Sequence, residues 1–390
     1  MFNFSQKIDR KNSYCTQWDY VEDRFGEPNL LPFTISDMDF PTPQVVINAL
    51  QSRIEHPVFG YSRWNHEDFK DSITDWFKRR FDTDLEREHL VYGPSVIYII
   101  SQLIRYWSET GQGVIIHTPA YDAFDKMILG LDREIIANQL QPTSQGFQLD
   151  WHQFENQLAD PNNKILLLCS PHNPTGKVWS MEDLNRMAEL CKKHNVAVIS
   201  DEIHMDICFK SHTPWQGFNM GPNWALVSSA SKSFNIPALN GAYAFIAEGP
   251  AREHYLFNLK QVDGLSSPSI LGVIGLMAAY QNGAPWLDAL KEYLYSNHLY
   301  VQQTLSEQLP SIKYTIPDAT YLAWIDLSSL SLDMEALNLC LIKKHKVAIM
   351  QGSTYGEAGK SFIRLNLGCP RSKVEQGLTA LILAIKELTK

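Results

Sequence analysis

Val196-Ala197-Val198-Ile199-Ser200-Asp201-Glu202-Ile203-His204 is an apolar run, rich in β-branched residues, that empties into two acids and a histidine. Such a run reads as a strand buried on both faces, the kind found in a parallel sheet covered by helices. A carboxylate directly after it is costly to bury alone, so Asp201 is expected to meet a cation or a hydrogen-bond donor. Just upstream, Ser180 and Asp183 have the spacing of a capping box ahead of Leu184, Met187, Leu190 and Cys191, a helical stripe. Further back, Lys164-Ile165-Leu166-Leu167-Leu168 runs into Ser170-Pro171-His172-Asn173-Pro174-Thr175-Gly176, and Val114-Ile115-Ile116 runs into Thr118-Pro119-Ala120-Tyr121. Strand-like and helix-like segments alternate from Gly113 onward, which predicts an α/β fold with a mostly parallel sheet covered on both faces.

Downstream, Trp224-Ala225-Leu226-Val227 is another short apolar run, and it opens into Ser228-Ser229-Ala230-Ser231-Lys232-Ser233-Phe234-Asn235. A capped loop with a snorkelling lysine accounts for this stretch taken alone. Small hydroxyls around one lysine also suit a phosphate, and a desolvated amine there is a nucleophile able to condense with an aldehyde. In open α/β sheets, ligands bind at the carboxyl ends of the strands. That rule brings Tyr121, Asn173, Asp201 and Lys232 to one rim, since each follows an apolar run by a few residues.

Residues 1–45 hold prolines and turn formers with little periodicity, and read as an arm associated with a smaller domain. Within them Asp37 and Asp39 sit among apolar residues in Ile35-Ser36-Asp37-Met38-Asp39-Phe40, where exposed loop acids are the plain alternative. Phe69, Ile73, Trp76 and Phe77 form one helical stripe. Gly93-Pro94-Ser95-Val96 then opens a second helix that runs to Trp107, with Gly93 read as supplying a tight turn and Pro94 tolerated in the first helical turn. A helix start of this kind presents free N–H groups that suit an anion, although most helix starts bind nothing. The apolar window Ser269 to Tyr280 is too short to span a bilayer and reads as a core helix. From residue 286 to 390 the text changes to long helical periodicity, then Thr320–Asp326, Val347–Met350 and Phe362–Leu367 as strands, then a final helix. The expected division is an arm over 1–45, a large domain over 46–285 and a small α/β domain over 286–390. Arg364 lies inside a strand, where it is expected to meet an anion or to face solvent.

The chain has 390 residues, 44% of them hydrophobic, with a net charge of −9 from 34 basic and 43 acidic side chains. That balance argues against a nucleic-acid or anionic-membrane surface and for small molecules or proteins as partners. The six cysteines are scattered without a CxxC pair or metal-ligand spacing, which predicts reduced thiols in a cytoplasmic protein and no metal. The first residues mix charges early and lack an apolar core, so no signal peptide is expected.

Taken in order, Asn173 in its proline-rich loop, Asp201 28 residues on, Ser229-Ala230-Ser231-Lys232 with its lysine 31 residues after that, and a late Arg364 resemble the fold type I pyridoxal-phosphate enzymes. Asp37-Met38-Asp39-Phe40, Phe59-Gly60-Tyr61-Ser62-Arg63-Trp64, Tyr92-Gly93-Pro94-Ser95-Val96, Asp201-Glu202-Ile203-His204-Met205-Asp206, Asp263-Gly264-Leu265-Ser266-Ser267-Pro268 and Leu365-Asn366-Leu367-Gly368-Cys369-Pro370-Arg371 resemble the MalY/PatB-type cystathionine β-lyases in particular. The resemblance covers nearly the whole chain. It implies pyridoxal 5'-phosphate as cofactor, with Lys232 bonded to its aldehyde and later moving the substrate's Cα proton. It also implies that Asp201 pairs with the ring nitrogen, Tyr121 stacks on the ring and Asn173 bonds its phenolic oxygen, with His204 beside it. Ser95 and Val96 through backbone N–H groups, Ser229 and Ser231 through hydroxyls, and Tyr61 from a neighbouring subunit would hold the phosphate. Arg364, with Asp37 and Asn173, would hold the substrate. Two positions depart from the wider aminotransferase pattern: Asn240 stands where a phosphate-binding arginine is common, and His204 where a tyrosine is common. The implied activity is elimination from cystathionine or related cysteine S-conjugates by a homodimer. An aminotransferase, and a cofactor-binding regulatory protein acting through a protein partner, remain as alternatives.

Overall fold

The computed structural model describes residues 2–143 and 146–389, so Met1 and Lys390, at the ends of the expected arm and small domain, fall outside it. The larger sheet runs in the order β2 (Leu90–Gly93), β10 (Ala242–Ile246), β9 (Trp224–Ser228), β8 (Ala197–Asp201), β7 (Asn163–Cys169), β3 (Gly113–Thr118), β4 (Glu134–Gln139). From β9 to β4 the pairings are parallel, whereas β10 is antiparallel to both of its neighbours. The mostly parallel sheet is therefore as expected, with one reversed strand that no sequence reading had placed. A second sheet has the order β1 (Leu31–Phe33), β12 (Val347–Gln351), β13 (Phe362–Asn366), β11 (Leu322–Asp326), and a hairpin of β5 (Gln141–Thr143) and β6 (Gly146–Gln148) stands apart.

Local chemistry explains most element boundaries. Ser180 and Asp183 do close a capping box at the start of the helix Met181–His194, and Asn195 ends that helix in the left-handed conformation. The helix Val96–Trp107 buries Ile99, Ile100, Leu103 and Ile104 completely, each worth roughly 1.5–3 kcal/mol of transfer free energy. Its start corrects the reading of Gly93 and Pro94. Pro94 lies outside the helix, before the N-cap Ser95, and Gly93 is the last residue of β2. Glycine is required there by close approach, because a Cβ would stand 2.4 Å from Ile99 and 2.7 Å from the Tyr255 hydroxyl. The helix Gln44–Glu55 follows Pro43 and carries a short stripe of Val46, Ala49 and Leu50, of which Val46 is buried and the other two pack half-buried against the larger core.

The helix Ala284–Gln308 passes from one core to the other. Trp286, Leu287, Leu290 and Leu294 pack in the larger core, and Val301 and Leu305 in the smaller. Between them Asn297 Nδ2 donates to the carbonyls of Leu367 and Cys369, both at 3.0 Å, and the His298 ring lies 2.6 Å from the Tyr314 hydroxyl. The change of core thus falls inside this helix and not at its start.

The N-terminal arm belongs to the small sheet through β1, which pairs parallel with β12 from Leu31 opposite Val347 to Phe33 opposite Ile349. Asp39 fastens it. Its carboxylate, 5% exposed, receives Arg10 NH1 and Trp18 Nε1 at 2.9 Å and Lys373 Nζ at 2.5 Å. Burial pushes this carboxyl up, and Lys373, Trp18 and Arg10 more than offset it, so its pKa lies below the ordinary value. Asp39→Ala leaves two cations without their shared anion and should cost about 3 kcal/mol, measured as a lower urea midpoint. The native pKa is the lower one, so this stability is present above about pH 4 and is lost on further acidification, a loss the variant should not show.

Candidate active site

At the carboxyl ends of β7, β8 and β9 lies a cavity of about 600 Å³. Asp201 closes β8 inside it at 5% exposure, with Oδ1 accepting the Ile203 amide at 3.1 Å. No cation reaches hydrogen-bond distance of it among the described residues. The expected partner is thus a single backbone donor. Burial pushes its pKa up to about 7, a rise that Glu202 reinforces and the Ile203 amide and Lys232 oppose.

Lys232 enters from the loop after β9, half-buried, and its Nζ donates to the Ser36 carbonyl at 2.7 Å. Burial lowers its pKa to about 8; Arg364 adds to this, while Asp37 and Asp201 pull the other way. The loop is shaped by its own hydroxyls. Ser229 Oγ donates to the Gly241 carbonyl at 2.6 Å and accepts the Ser231 amide at 3.1 Å. Asn235, at φ 55°, holds the arm: its Oδ1 accepts the Met38 amide and its Nδ2 donates to the Met38 and Phe40 carbonyls.

Arg364, on β13, is 3% exposed and also opens into the cavity. NH1 donates to Asn173 Oδ1 at 3.1 Å, NH2 donates to the Thr34 carbonyl at 2.7 Å, and the guanidinium carbon lies 4.8 Å from the centre of the Tyr355 ring. Its Nε is buried without an acceptor. His204 also lines the cavity, buried, with Nδ1 unpartnered among the described residues; burial, together with the Lys232 and Arg364 charges, lowers its pKa to about 3, so the ring is neutral. Tyr121 lines the cavity as the residue before the helix Asp122–Gly130, and its phenol pKa is raised by burial. Ser95 caps the helix Val96–Trp107 by accepting the Tyr98 amide at 3.1 Å. The first-turn amides of Val96 and Ile97, which line the cavity, have no acceptor within their own helix.

Ten of the twelve expected site residues therefore meet in one cavity: Ser95, Val96, Tyr121, Asn173, Asp201, His204, Ser229, Ser231, Lys232 and Arg364. The other two do not line it. Asp37 is held by Arg10, NH2 to Oδ2 at 2.7 Å, and is not part of the lining to which its neighbours Ile35 and Ser36 belong, although its charge reaches Lys232. Tyr61 is fully exposed and reaches no part of the cavity in this chain. The sequence reading missed Thr34, Ser36 and Tyr355. A threonine and a serine just ahead of Asp37-Met38-Asp39-Phe40 were the available signal for the first two, and Tyr355 follows a strand without any motif.

The donor set fits pyridoxal 5'-phosphate. An amine, a buried carboxyl without a cation, free helix-start amides and the Arg364 guanidinium line one cavity among the described residues.

A family model for aminotransferase class I and II matches residues 28–381. Protein MalY of Escherichia coli is 54% identical over 388 residues, 99% of each chain, and cystathionine beta-lyase PatB of Bacillus subtilis is 33% identical over 98% of this chain and 100% of its own. Among solved structures, cystalysin from Treponema denticola, which contains a pyridoxal 5'-phosphate cofactor, superposes with a TM-score of 0.94 at 29% identity and covers 100% of both chains.

The Asp201 pKa sets a stability signature. In cofactor-free protein the native carboxyl keeps its proton up to about pH 7, whereas the unfolded one releases it near 3.8, so stability should fall as pH rises between these values. Asp201→Asn should remove that fall, and the difference between the two proteins' urea midpoints across pH 4–7 isolates it from the opposite trend of His204.

Proposed function

We propose, for a chain that belongs to the class I and II aminotransferase family and within it to the MalY/PatB type, that it is a pyridoxal-phosphate-dependent carbon–sulfur β-lyase. Its substrates would be cystathionine or related cysteine S-conjugates, and its products a thiol, pyruvate and ammonia. The observation that carries this reading is the placing of Lys232, Asp201 and Arg364 in the lining of one cavity, with no cation at hydrogen-bond distance of the Asp201 carboxyl among the described residues. Likeness to lyases tilts the reading toward elimination.

The bound cofactor supplies an electron sink for the pair left when Cα loses its proton. Asp201 would hold its ring nitrogen, Tyr121 and Ile203 its ring faces, and the amides of Val96 and Ile97 its phosphate. Arg364, already steadied by Asn173 and Thr34, offers its remaining N–H groups to the α-carboxylate. Lys232, with a pKa near 8, exchanges a proton near neutral pH and takes the one on Cα. The Cβ–S bond then breaks, sulfur leaves with the bonding pair, and a proton from the Lys232 ammonium or water completes the thiol. Hydrolysis of the remainder gives pyruvate and ammonia.

We also propose a cytoplasmic homodimer in which Tyr61 reaches the phosphate of the other subunit. In support, Val58, Phe59 and Tyr61 are exposed by 62%, 57% and 100%, an apolar stretch that a second copy would cover. Asn240, where a cation is common, lies in the cavity lining and leaves room for such help. Among the described residues no helix is long and apolar enough to cross a membrane.

Borohydride reduction and peptide mapping should place the pyridoxyl group on Lys232, and Lys232→Ala should lose turnover by at least a thousandfold while remaining folded. With cystathionine and no added keto acid, pyruvate, ammonia and homocysteine should accumulate equally over many turnovers. One turnover that stalls until a keto acid is added would identify an aminotransferase instead. A Tyr61 variant mixed with a Lys232 variant should regain activity when subunits exchange.

A further inference from the structure

The cavity of about 600 Å³ has to take the cofactor as well as the cysteine half of a substrate, and its lining continues past Arg364 to Met350, Thr354 and Arg24. Arg24 is exposed, on the short helix Val21–Phe25 of the N-terminal arm. Its position relative to the deep arginine is fixed by the small sheet. Met350 on β12 is the register partner of Arg364 on β13, and Arg24 NH2 lies 4.0 Å from Met350 Sδ. One guanidinium thus stands a layer outside the other along the same wall.

The charges at this mouth do not cancel. Lys126 and Asp122 also line it and pair with each other at 2.6 Å. Arg24 pairs with no carboxylate among the described residues; it meets the Met350 sulfur and the Phe25 ring, whose centre lies 5.5 Å from the guanidinium carbon. A planar donor set left without a carboxylate on the exposed part of the cavity lining suits an anion such as a carboxylate.

We propose that Arg24 forms a second anion subsite at the cavity mouth, which selects thioethers bearing another carboxylate beyond the sulfur. The inference rests on the lyase reading and narrows its substrate class. Arg364 takes the carboxylate next to the reacting carbon, and Arg24 takes the one on the departing thiol. Because Arg24 is exposed, salt screens this contact, so the selectivity it gives depends on ionic strength.

S-(2-carboxyethyl)-L-cysteine and S-propyl-L-cysteine differ at the far end by a carboxylate, and the test is the ratio of their kcat/KM values in pyruvate release by the holoenzyme. In wild type this ratio should favour the carboxylate and shrink on going from low to high salt. Arg24→Gln should lower it about five- to tenfold, mainly through KM, and remove the salt dependence, while Arg24→Lys should recover part of it. Ordinary turnover with an unchanged ratio in Arg24→Gln would overturn the subsite and leave the lyase intact. Absence of pyruvate from either thioether in wild type would instead overturn the lyase reading, and the subsite with it.

Discussion

Residues 34–40 of the arm lie between the two cores, and side chains from both satisfy their backbone. Arg364 takes the Thr34 carbonyl, Asn366 those of Ile35 and Asp37, Lys232 and Tyr321 that of Ser36, and Asn235 those of Met38 and Phe40. A buried irregular segment is tolerable only when its polar groups are paired in this way. The same bonds aim Lys232 and Arg364, so the closure of the site and the satisfaction of this segment are one set of contacts.

The site's electrostatics follow from how little of it is neutralised internally. Burial moves the Asp201 carboxyl up and the Lys232 amine down until the two approach each other near neutrality, while His204 stays uncharged. Elsewhere the chain pairs its buried charges with care. Glu202, next to Asp201, accepts from Ser200, Trp215 and His212, and Asp206 accepts from Trp76 and Ser233. Adjacent carboxylates on one loop thus divide into two saturated ones that hold the fold and one left open, and it is the open one that faces the cavity.

Much of this was legible in the sequence because buried parallel strands leave continuous apolar runs. Val196–Ile199, Lys164–Leu168 and Val114–Ile116 each mark a strand, and the strand-end rule then gathers Tyr121, Asn173, Asp201 and Lys232. What escaped lacks such a trace. β1 is three residues long and contains a proline, and its pairing partner lies more than 300 positions away. Gly93 looks like a turn residue, and only the packing of Ile99 and Tyr255 reveals that space is the constraint. Asp37 carries the right motif but is claimed by Arg10, a contact 27 residues distant that no local pattern announces.

The separation of β1 from its partner orders events at the ribosome. The large sheet is complete once Ile246 has emerged, but Leu31–Phe33 cannot pair until Val347–Gln351 follows, roughly a hundred residues later. Throughout that interval the arm can meet the Lys232 loop through Asn235, but it lacks the bonds from Arg364 and Asn366 and the pairing with β12. The cofactor pocket thus gains its Arg364 wall only when β13 has been made, just before the last helix, so loading can precede closure.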